Sequence, residues 1–425
     1  MNEFVARLPG QKVLIFGLGR QGGGAGDAKF LTAHGAQIKI SDRDLTLSPE
    51  GQTREQIDWA DLIIKNPGVP DDHSLLTYAR EQNKPVLTSI AIFVKYTSIP
   101  VIGITGTRGK STTTALITHL LNLQFPGQIV AGGNIPGTSG LSLFDLEAGH
   151  KYAVLELSSF QLHNFHELKV SPPIAIITNL YPDHLNRYPD MASYQRDKEA
   201  ICAYQTSSDM CIYNANNDGA VNIAKTSRGQ RLGFHASNVT DWATQLPGDH
   251  NRENIAAMWE LGKHLHLSES VCRQAVASFP GLPSRLQVVR TVRGVTYIND
   301  TTATAPTAAI KALQSARTPT IWITGGDTKN LPFDSLLAEV ATNTSLKQII
   351  ILGSRHIPDY TQALHTLAHD KILGTVASMS EAVKLASQVA SAGDSVLLSP
   401  GFASFDLFLN EFDRGDQFNK AVSAL

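Results

Sequence analysis

The sequence has few cysteines and no long hydrophobic run. Its 425 residues include only three cysteines, Cys202, Cys211 and Cys272. Their spacing suits neither a metal site nor a disulfide framework, and such sparse use of cysteine is typical of a reducing cytosol. The N-terminus lacks the apolar core of a signal peptide, and no apolar run reaches the ~20 residues that a membrane helix needs. We therefore expect a cytoplasmic protein with no membrane partner.

The sequence also lacks an excess of charge of one sign. Lys and Arg number 36 against 38 for Asp and Glu, which gives a formal net charge of −2. Because proteins that bind nucleic acid usually carry a basic stripe, we expect no nucleic-acid partner. Hydrophobic residues make up 42% of the chain and charged residues 17%. This composition is typical of a globular chain with about two to four domains at this length.

The most informative segment runs from Val101 to Thr114 and reads VIGITGTRGKSTTT. A short apolar strand leads into a loop that contains glycine, and the loop opens a helix. Backbone N–H groups at such a helix start bind phosphate oxygens, and the helix dipole favours their negative charge. We expect Lys110 to reach the terminal phosphates of ATP and the Ser111 hydroxyl to bind Mg²⁺.

The loop departs from the plain Walker pattern, in which a glycine stands six residues before the lysine. Ile104 occupies that place, between Gly103 and Gly106. This departure narrows the class of phosphate loops to which the segment belongs. We expect ATP to be bound here by Gly106, Thr107, Gly109, Lys110, Ser111 and Thr112.

Short apolar runs alternate with helical patterns along the whole chain. This alternation predicts an α/β protein with parallel sheets, whose ligand sites lie at the carboxyl ends of the strands. The predicted strands are Lys12–Gly17, Gln37–Ser41, Leu62–Ile64, Val101–Ile104, Ala153–Glu156, Ile174–Thr178, Val295–Ile298, Thr320–Ile323, Gln348–Leu352 and Ser395–Leu398.

The same alternation predicts three consecutive domains without disordered linkers. We expect a Rossmann-like N-terminal domain in residues 1–98 and a central ATP-binding domain with the phosphate loop in residues 99–281. A second Rossmann-like domain is expected in residues 282–425.

The N-terminal domain carries a dinucleotide-type fingerprint at Gly17, Gly19 and Gly22, with Asp42 near the place of a ribose-binding acid. A nicotinamide site and glycines that serve only close packing are both alternatives. Because the phosphate chemistry lies in the next domain, a site for a uridine diphosphate group is favoured. We expect Gly17, Asp42 and Arg43 to contribute to it.

Polar residues follow two strands of the central domain. Glu156 ends one strand beside the phosphate loop, where a carboxylate suits Mg²⁺. The alternative is a glutamate that faces solvent. Asp183 and His184 follow the other strand and a turn that contains proline, and this position favours a metal site.

Two further segments are less specific. Lys198 lies in a helical pattern and, on composition alone, is a solvated helical lysine. Asn251 and Asn254 stand three residues apart at the start of another helix. Their amides either bind a nucleotide base or cap the helix.

Four segments together resemble the Mur ligase family: GITGTRGKS (103–111), ELSSFQL (156–162), DHLNRY (183–188) and HNREN (250–254). The resemblance covers essentially the whole chain and implies three domains in the predicted order. It implies an ATP-dependent ligase of cytoplasmic peptidoglycan precursor synthesis that adds D-glutamate to UDP-N-acetylmuramoyl-L-alanine through an acyl phosphate. The alternatives are the same chemistry with another acceptor such as L-glutamate, and a nucleotide-binding homologue without turnover. The SSFQL run disfavours a folylpolyglutamate-type ligase.

The resemblance also implies roles for individual residues of the central domain. Ser111 and Glu156 would bind one Mg²⁺, and His184 and Lys198 would bind a second. Lys198 would do so as a carbamate, an anionic oxygen ligand that suits a hard metal. Lys110, His184 and Lys198 would act in catalysis.

Further contacts follow from the resemblance. Asn134 would contact the precursor. ATP would also be contacted by Asn254, Arg285 and Asp300. The two carboxylates of glutamate would be bound by Thr304, Lys329 and Ser404, since lysine and hydroxyl groups suit a dianionic amino acid. The partners would be small-molecule substrates, and we expect a monomer.

The chain departs from the family pattern at four positions. Ser284 stands where histidine is usual, Thr302 where lysine is usual, and Glu411 where an aromatic residue is frequent. The loss of a cation at Thr302 would weaken anion stabilisation. Arg108 stands in the phosphate loop where asparagine is usual, and it is a candidate for compensating that loss.

Overall fold

The chain forms three sheets in two compact units. The computed structural model describes residues 2–19, 22–135, 137–184, 187–246, 250–327 and 331–425. One unit comprises Met1–Thr244 and Asp249–Phe279, and the other comprises Gln245–Gly248 and Pro280–Leu425. The first unit holds two sheets and the second holds one. The predicted domain borders after residues 98 and 281 stay predictions. Across the described ranges, no helix is long and apolar enough to cross a membrane.

The N-terminal sheet has four parallel strands in the order β2-β1-β3-β4. Its inner strands are continuous apolar runs because helices cover both faces of a parallel sheet. The strands are β1 (Lys12–Phe16), β2 (Gln37–Ser41), β3 (Leu62–Lys65) and β4 (Val86–Leu87). The helices are α1 (Glu3–Ala6), α2 (Gly23–Ala33), α3 (Arg54–Trp59), α4 (Ser74–Glu81) and α5 (Ser89–Tyr96).

The central sheet has six parallel strands in the order β10-β9-β8-β5-β7-β6. They are β5 (Val101–Thr105), β6 (Ile129–Gly133), β7 (Tyr152–Glu156), β8 (Ile174–Ile177), β9 (Met210–Asn214) and β10 (Gln230–Phe234). The helices are α6 (Lys110–Gln124), α7 (Ser159–Leu168), α8 (Met191–Glu199), α9 (Asp218–Ala224), α10 (His250–His264) and α11 (Glu269–Ser278), with short 3₁₀ segments at Leu141–Leu146 and Ala236–Val239.

The register of the central sheet positions the predicted functional segments. Ile104 of β5 pairs with Glu156 of β7 on one side and with Ile176 of β8 on the other. The three strands therefore end together, and the loop after β5 emerges between the ends of its two neighbours.

The third sheet forms the core of the second unit, with the order β11-β12-β16-β13-β14-β15. Only its edge strand β11 is antiparallel. The strands are β11 (Gln287–Val292), β12 (Val295–Asn299), β13 (Thr320–Gly325), β14 (Leu346–Leu352), β15 (Ile372–Val376) and β16 (Ser395–Leu398). The helices are α12 (Pro306–Ser315), α13 (Asp334–Thr342), α14 (Pro358–Ala368), α15 (Met379–Val389) and α16 (Glu411–Ser423), with a 3₁₀ turn at His369–Lys371.

All ten predicted strands are present, with ends that agree to within two residues. The α/β prediction and the parallel sheets are confirmed. The strands that the sequence reading omitted are short, lie at sheet edges or have weaker apolar patterns. They are β4, β6, β9, β10, β11 and β15.

A buried carboxylate joins the two sheets of the first unit. Asp27 of α2 is 5% exposed. Its carboxylate accepts hydrogen bonds from the Ser139 hydroxyl and from the Leu141 N–H, both in the segment after β6. Burial raises the pKa of Asp27 to about 6, although these hydrogen bonds act in the opposite direction.

We expect Asp27→Asn to change how stability depends on pH. An aspartate with a raised pKa in the folded state contributes full stability below its unfolded pKa, and this contribution is lost as pH rises through about 6. Between pH 4 and pH 7 the wild type should therefore lose up to about 3 kcal/mol relative to the variant, whose amide does not ionise. Urea unfolding across this range measures the difference. Asp370→Asn, at an exposed aspartate, is the control, and parallel curves for Asp27→Asn and wild type would contradict the expectation.

Candidate active site

The phosphate loop lies at the carboxyl edge of the central sheet, where β5 ends and α6 begins at Lys110. Two of its glycines have positive φ, 153° at Gly106 and 83° at Gly109. A Cβ at Gly106 would lie 1.9 Å from the Thr178 Oγ1, and one at Gly109 would lie 2.5 Å from the Asn254 Oδ1. Both the backbone conformation and the close packing therefore require glycine.

The end of β8 holds this loop in place. The Thr107 N–H donates to the Asn179 carbonyl oxygen at 3.0 Å, and the Arg108 N–H donates to the Asn179 Oδ1 at 2.9 Å. The Arg108 carbonyl oxygen accepts from the Thr178 hydroxyl at 2.6 Å and from the Asn179 amide at 3.1 Å. The Arg108 side chain is exposed. The sequence reading gave Thr178 and Asn179 no role, and their position after a neighbouring strand is the only local signal.

Lys110 folds back over the loop. Its Nζ donates to the carbonyl oxygens of Gly106 at 3.0 Å and of Thr107 at 3.1 Å. The ammonium therefore lies at the loop that the sequence assigns to phosphate. A phosphate oxygen is a charged and hence stronger acceptor than these carbonyl groups.

Lys198 lies at the same loop and is 1% exposed, so the composition-based reading of a solvated helical lysine is wrong. Its Nζ donates to the Gly106 carbonyl oxygen at 3.0 Å and to the Thr105 hydroxyl at 3.4 Å. Burial holds the pKa of Lys198 well below its ordinary value, and the nearby charge of Lys110 lowers it further. The sequence around Lys198 contains no sign of this burial.

The Tyr194 ring lies close to both His184 and Lys198. The Lys198 Nζ lies 4.9 Å from the centre of the Tyr194 ring, and the His184 ring lies 6.0 Å from it. The Tyr194 hydroxyl is 3.3 Å from the Thr107 Oγ1 of the phosphate loop. His184 has a φ of 56°, and its side chain is 45% exposed. Its imidazole is thus accessible beside the loop.

Glu156 and Asn134 form a pair at the ends of β7 and β6. The Asn134 Nδ2 donates to the Glu156 Oε1 at 2.9 Å, and the Asn134 N–H donates to the Glu156 carbonyl oxygen at 2.8 Å. Glu156 is 4% exposed, so the alternative of a glutamate facing solvent is wrong. Ser111, the second residue of α6, is partly buried.

The donor chemistry at the loop suits a hard cation. Glu156 offers carboxylate oxygen and Ser111 a hydroxyl, both of which Mg²⁺ accepts. Over the described ranges of the chain, no group of three or more His, Cys, Asp or Glu is assembled as a metal site. The predicted ligands Ser111, Glu156, His184 and carbamylated Lys198 therefore stay a prediction.

Asn254 supports the loop from the side of α10. Its Oδ1 accepts from the Thr113 hydroxyl at 3.1 Å, and its Nδ2 donates to the Asn251 Oδ1 at 2.8 Å. Asn254 is 4% exposed and lies against Gly109. Its amide thus joins α10 to α6, and a contact with the nucleotide stays a prediction.

In the N-terminal sheet, Asp42 organises the glycine loop. Its carboxylate accepts from the N–H groups of Leu18 at 2.7 Å, Gly19 at 3.3 Å and Asp44 at 2.9 Å. Asp42 is buried and Arg43 is exposed. The Asp42 carboxylate is thus engaged by the backbone of the loop.

A cavity of about 420 Å³ lies between the two sheets of the first unit. Its lining brings Gly17 together with Asn134, as predicted for precursor contacts, but does not include Asp42 or Arg43. The other lining groups include Asn66, Ser158 and Gln161. The Ser158 side chain and Gln161 form a capping box at the start of α7, so part of the SSFQL run is explained by the helix start.

The second unit carries the remaining predicted residues, and Asp300 and Ser404 lie on the loops that follow β12 and β16. Asp300, at the end of β12, accepts from the Ser399 hydroxyl at 2.8 Å and from the Leu286 N–H at 3.1 Å. Burial raises the pKa of Asp300 to about 6. The Thr302 hydroxyl donates to the Ser284 carbonyl oxygen at 2.9 Å. This hydrogen bond therefore restrains the positions of Ser284 and Thr302 relative to each other.

Arg285 and Glu411 lie near these loops. Arg285 is exposed, and its charge lowers the pKa of Asp300 against the larger effect of burial. The Glu411 carbonyl oxygen accepts from the Thr301 hydroxyl at 2.8 Å.

Arg414 joins the loop that contains Thr304 to the loop that contains Ser404. It is fully buried and donates to the Thr301 carbonyl oxygen at 2.9 Å and to the Ala403 carbonyl oxygen at 3.2 Å. The sequence reading missed this residue. The Ser404 hydroxyl is buried and has no hydrogen-bond partner among the described residues. Lys329 lies outside the described residues.

Fold and site together define a class. A phosphate loop emerges from the middle of a six-stranded parallel sheet, two lysines converge on it, and a cavity lined by Asn134 lies at the end of β6 in the same sheet. This arrangement is that of a nucleotide-dependent α/β enzyme.

Comparisons with known proteins agree with this class. Residues 104–255 match the Mur ligase middle domain, and residues 284–402 match the Mur ligase, glutamate ligase domain. The UDP-N-acetylmuramoylalanine--D-glutamate ligase of Roseiflexus sp. (strain RS-1) is 35% identical over 98% of this chain and 99% of that protein. The protein of the same name from Christiangramia forsetii is 34% identical over 98% of this chain and 100% of that protein.

The fold has solved counterparts. The MurF ligase from Thermotoga maritima, solved in complex with ADP, has a TM-score of 0.56 at 17% identity over 99% of this chain and 97% of that protein. At this identity the likeness concerns the fold alone. Together with the near full-length relatives, this likeness in fold leads to one conclusion. The chain belongs to the Mur ligase family of ATP-dependent amide-forming ligases.

We expect Gly106→Ala to weaken ATP binding. The new methyl group would meet the Thr178 hydroxyl at 1.9 Å and would require a strained φ, so the loop must move. Nucleotide affinity should fall at least about tenfold, measured by calorimetric titration with ATP and Mg²⁺. Gly127→Ala is the control, since Gly127 has a φ of 72° but no atom within 4 Å of the added Cβ. Equal nucleotide affinities for the two variants would contradict the role of close packing at Gly106.

Proposed function

We propose that this protein adds D-glutamate to UDP-N-acetylmuramoyl-L-alanine at the expense of ATP, in peptidoglycan precursor synthesis. The observation that carries the proposal is the convergence of Lys110 and Lys198 on the Gly106 carbonyl oxygen; a cavity lined by Gly17 and Asn134 lies in the same unit. The names of the near full-length relatives support the same substrates.

In the proposed reaction, a carboxylate oxygen of the precursor attacks the γ-phosphorus of ATP and ADP leaves. The resulting acyl phosphate is attacked at its carbonyl carbon by the amino group of glutamate. A C–N bond forms, the nitrogen releases a proton, the C–O bond to phosphate breaks, and inorganic phosphate carries away the electron pair. Lys110 stabilises negative charge on the transferring phosphoryl oxygens throughout.

Metal binding forms part of the proposal. Ser111 and Glu156 would hold one Mg²⁺, and His184 and carbamylated Lys198 a second. When bound, these ions neutralise charge on the phosphate groups. The lowered pKa of Lys198 favours the neutral amine, which is the form that adds carbon dioxide. The carbamate would place an oxygen ligand beside the Gly106 carbonyl.

The remaining roles are proposed on the same basis. Asn254, Arg285 and Asp300 would contact ATP, and Gly17, Asp42, Arg43 and Asn134 would contact the precursor. The unpaired and buried hydroxyl of Ser404 supports a site for a glutamate carboxylate, which Thr304 and Lys329 would complete. Arg108 would supply the cation that Thr302 lacks, because its side chain is exposed on the phosphate loop. A monomer in the cytoplasm completes the proposal.

The acceptor assay tests the proposed function. Phosphate release should require ATP, UDP-N-acetylmuramoyl-L-alanine and D-glutamate together. Turnover with L-glutamate but not with D-glutamate would assign a different acceptor to the same chemistry. Tight ATP binding without release in the presence of either acceptor would identify a nucleotide-binding homologue and overturn the ligase proposal.

We expect Lys110→Ala to abolish turnover and to leave the fold intact. Lys110 donates to the carbonyl oxygens of Gly106 and Thr107 in its own loop, whereas charge develops on phosphate during the reaction. The loss in kcat should be at least about a hundredfold. Phosphate release and thermal unfolding measure the two effects. Lys29→Ala, at an exposed lysine of α2, is the control, and normal turnover in Lys110→Ala would refute the role of the loop.

A further inference from the structure

A row of alternating charges crosses from the N-terminal sheet to the helix that carries Lys198. It begins at Lys65, the last residue of β3, whose side chain is completely inaccessible to solvent. The Lys65 Nζ donates to the Asp71 carboxylate and to the Val69 carbonyl oxygen, both at 3.0 Å. Because a buried ammonium is costly without a counter-charge, Asp71 is held close to Lys65.

His163 continues the row into the central sheet. Its Nε2 lies 3.7 Å from the Asp71 Oδ1, and its Nδ1 lies 3.0 Å from the Asp197 Oδ1. The imidazole of α7 thus stands between a carboxylate of the N-terminal domain and a carboxylate of α8. The hydrogen bond to Asp197 raises the pKa of His163, against the effect of burial, and the charges of both aspartates add to this rise. The imidazolium is therefore favoured in this position.

Asp197 ends the row immediately before Lys198. It is 8% exposed, and its other oxygen accepts from the Tyr188 hydroxyl at 2.9 Å. Without His163, the hydrogen bond that this buried carboxylate keeps among the described residues comes from the neutral Tyr188 hydroxyl. Asp197 would then be expected to move toward water, together with the turn of α8 on which Lys198 lies.

We propose that His163 is a positioning residue that holds Lys198 at the phosphate loop by bridging Asp71 and Asp197. Through this bridge, the segment that follows β3 and the helix that carries Lys198 take up their positions together. The proposal rests on the proposed function, because it gives Lys198 its importance in turnover. The row of residues has no other evident task in the reaction.

A neighbouring ion pair provides a matched control. Arg80 of α4 pairs with the same Asp71 at 3.2 Å and with Glu167 of α7 at 3.3 Å. It therefore contacts the same carboxylate and links the same two domains through Glu167, and neither of these ion pairs involves α8. If a substitution acts only by weakening the contact between the domains, Arg80→Ala and His163→Ala should lower kcat equally.

The test compares His163→Ala, His163→Lys and Arg80→Ala by steady-state phosphate release, below the unfolding temperature of each variant. We expect His163→Ala to lower kcat at least about tenfold, because a small displacement of Lys198 is costly. Its KM for ATP should stay within about twofold of wild type, because Thr178 and Asn179 hold the phosphate loop independently. His163→Lys retains a cation and should recover most of kcat, and Arg80→Ala should keep kcat within about twofold of wild type.

Two outcomes would overturn the proposal. One is an equal kcat in His163→Ala and Arg80→Ala, which would leave His163 with a structural role only. The other is an equal loss of kcat in His163→Lys and His163→Ala. A wild-type enzyme without turnover on any acceptor would instead overturn the proposed function, and the positioning role with it.

Discussion

The carbonyl oxygen of Gly106 is the point on which the site depends, because it accepts hydrogen bonds from two lysines. The ammonium of Lys110 reaches it from α6 and that of Lys198 from α8, each at 3.0 Å. Two like charges at the same carbonyl oxygen repel each other. Burial penalises the charge of the less exposed residue, Lys198, more strongly. Burial and the charge of Lys110 therefore shift Lys198 toward its neutral amine. One peptide group thus accepts from two chemically identical side chains that differ in their burial.

The loop can offer this carbonyl only because the central sheet restrains it. Three parallel strands end in register, so Glu156 stands on one side of the loop and Thr178 with Asn179 on the other. The Arg108 N–H donates to the Asn179 Oδ1, and the Arg108 carbonyl oxygen accepts from the Thr178 hydroxyl, just after the end of β8. A glycine loop that is held in this way does not have to be ordered when phosphate binds.

The contact between the two sheets of the first unit is polar as well as apolar. Asp27 joins α2 to the segment after β6, and the row from Lys65 to Asp197 joins β3 to α8. Buried ionic contacts contribute little net stability when they replace apolar packing, but they are intolerant of displacement. They therefore suit a boundary where a cavity must keep its shape.

The sequence by itself determined the elements and the phosphate loop. Strands such as β5 are continuous apolar runs, and the GTRGKS segment is recognisable without any neighbour, because periodicity and loop chemistry are local properties. Only the tertiary structure decided the state of Lys198, since its burial and the approach of Lys110 come from segments almost ninety residues apart (positions 110 and 198). The same holds for Asn179, His163 and Arg414, whose partners lie far away along the chain. The pKa of a group and the partners of a side chain depend on distances through space, and a local pattern does not specify those distances.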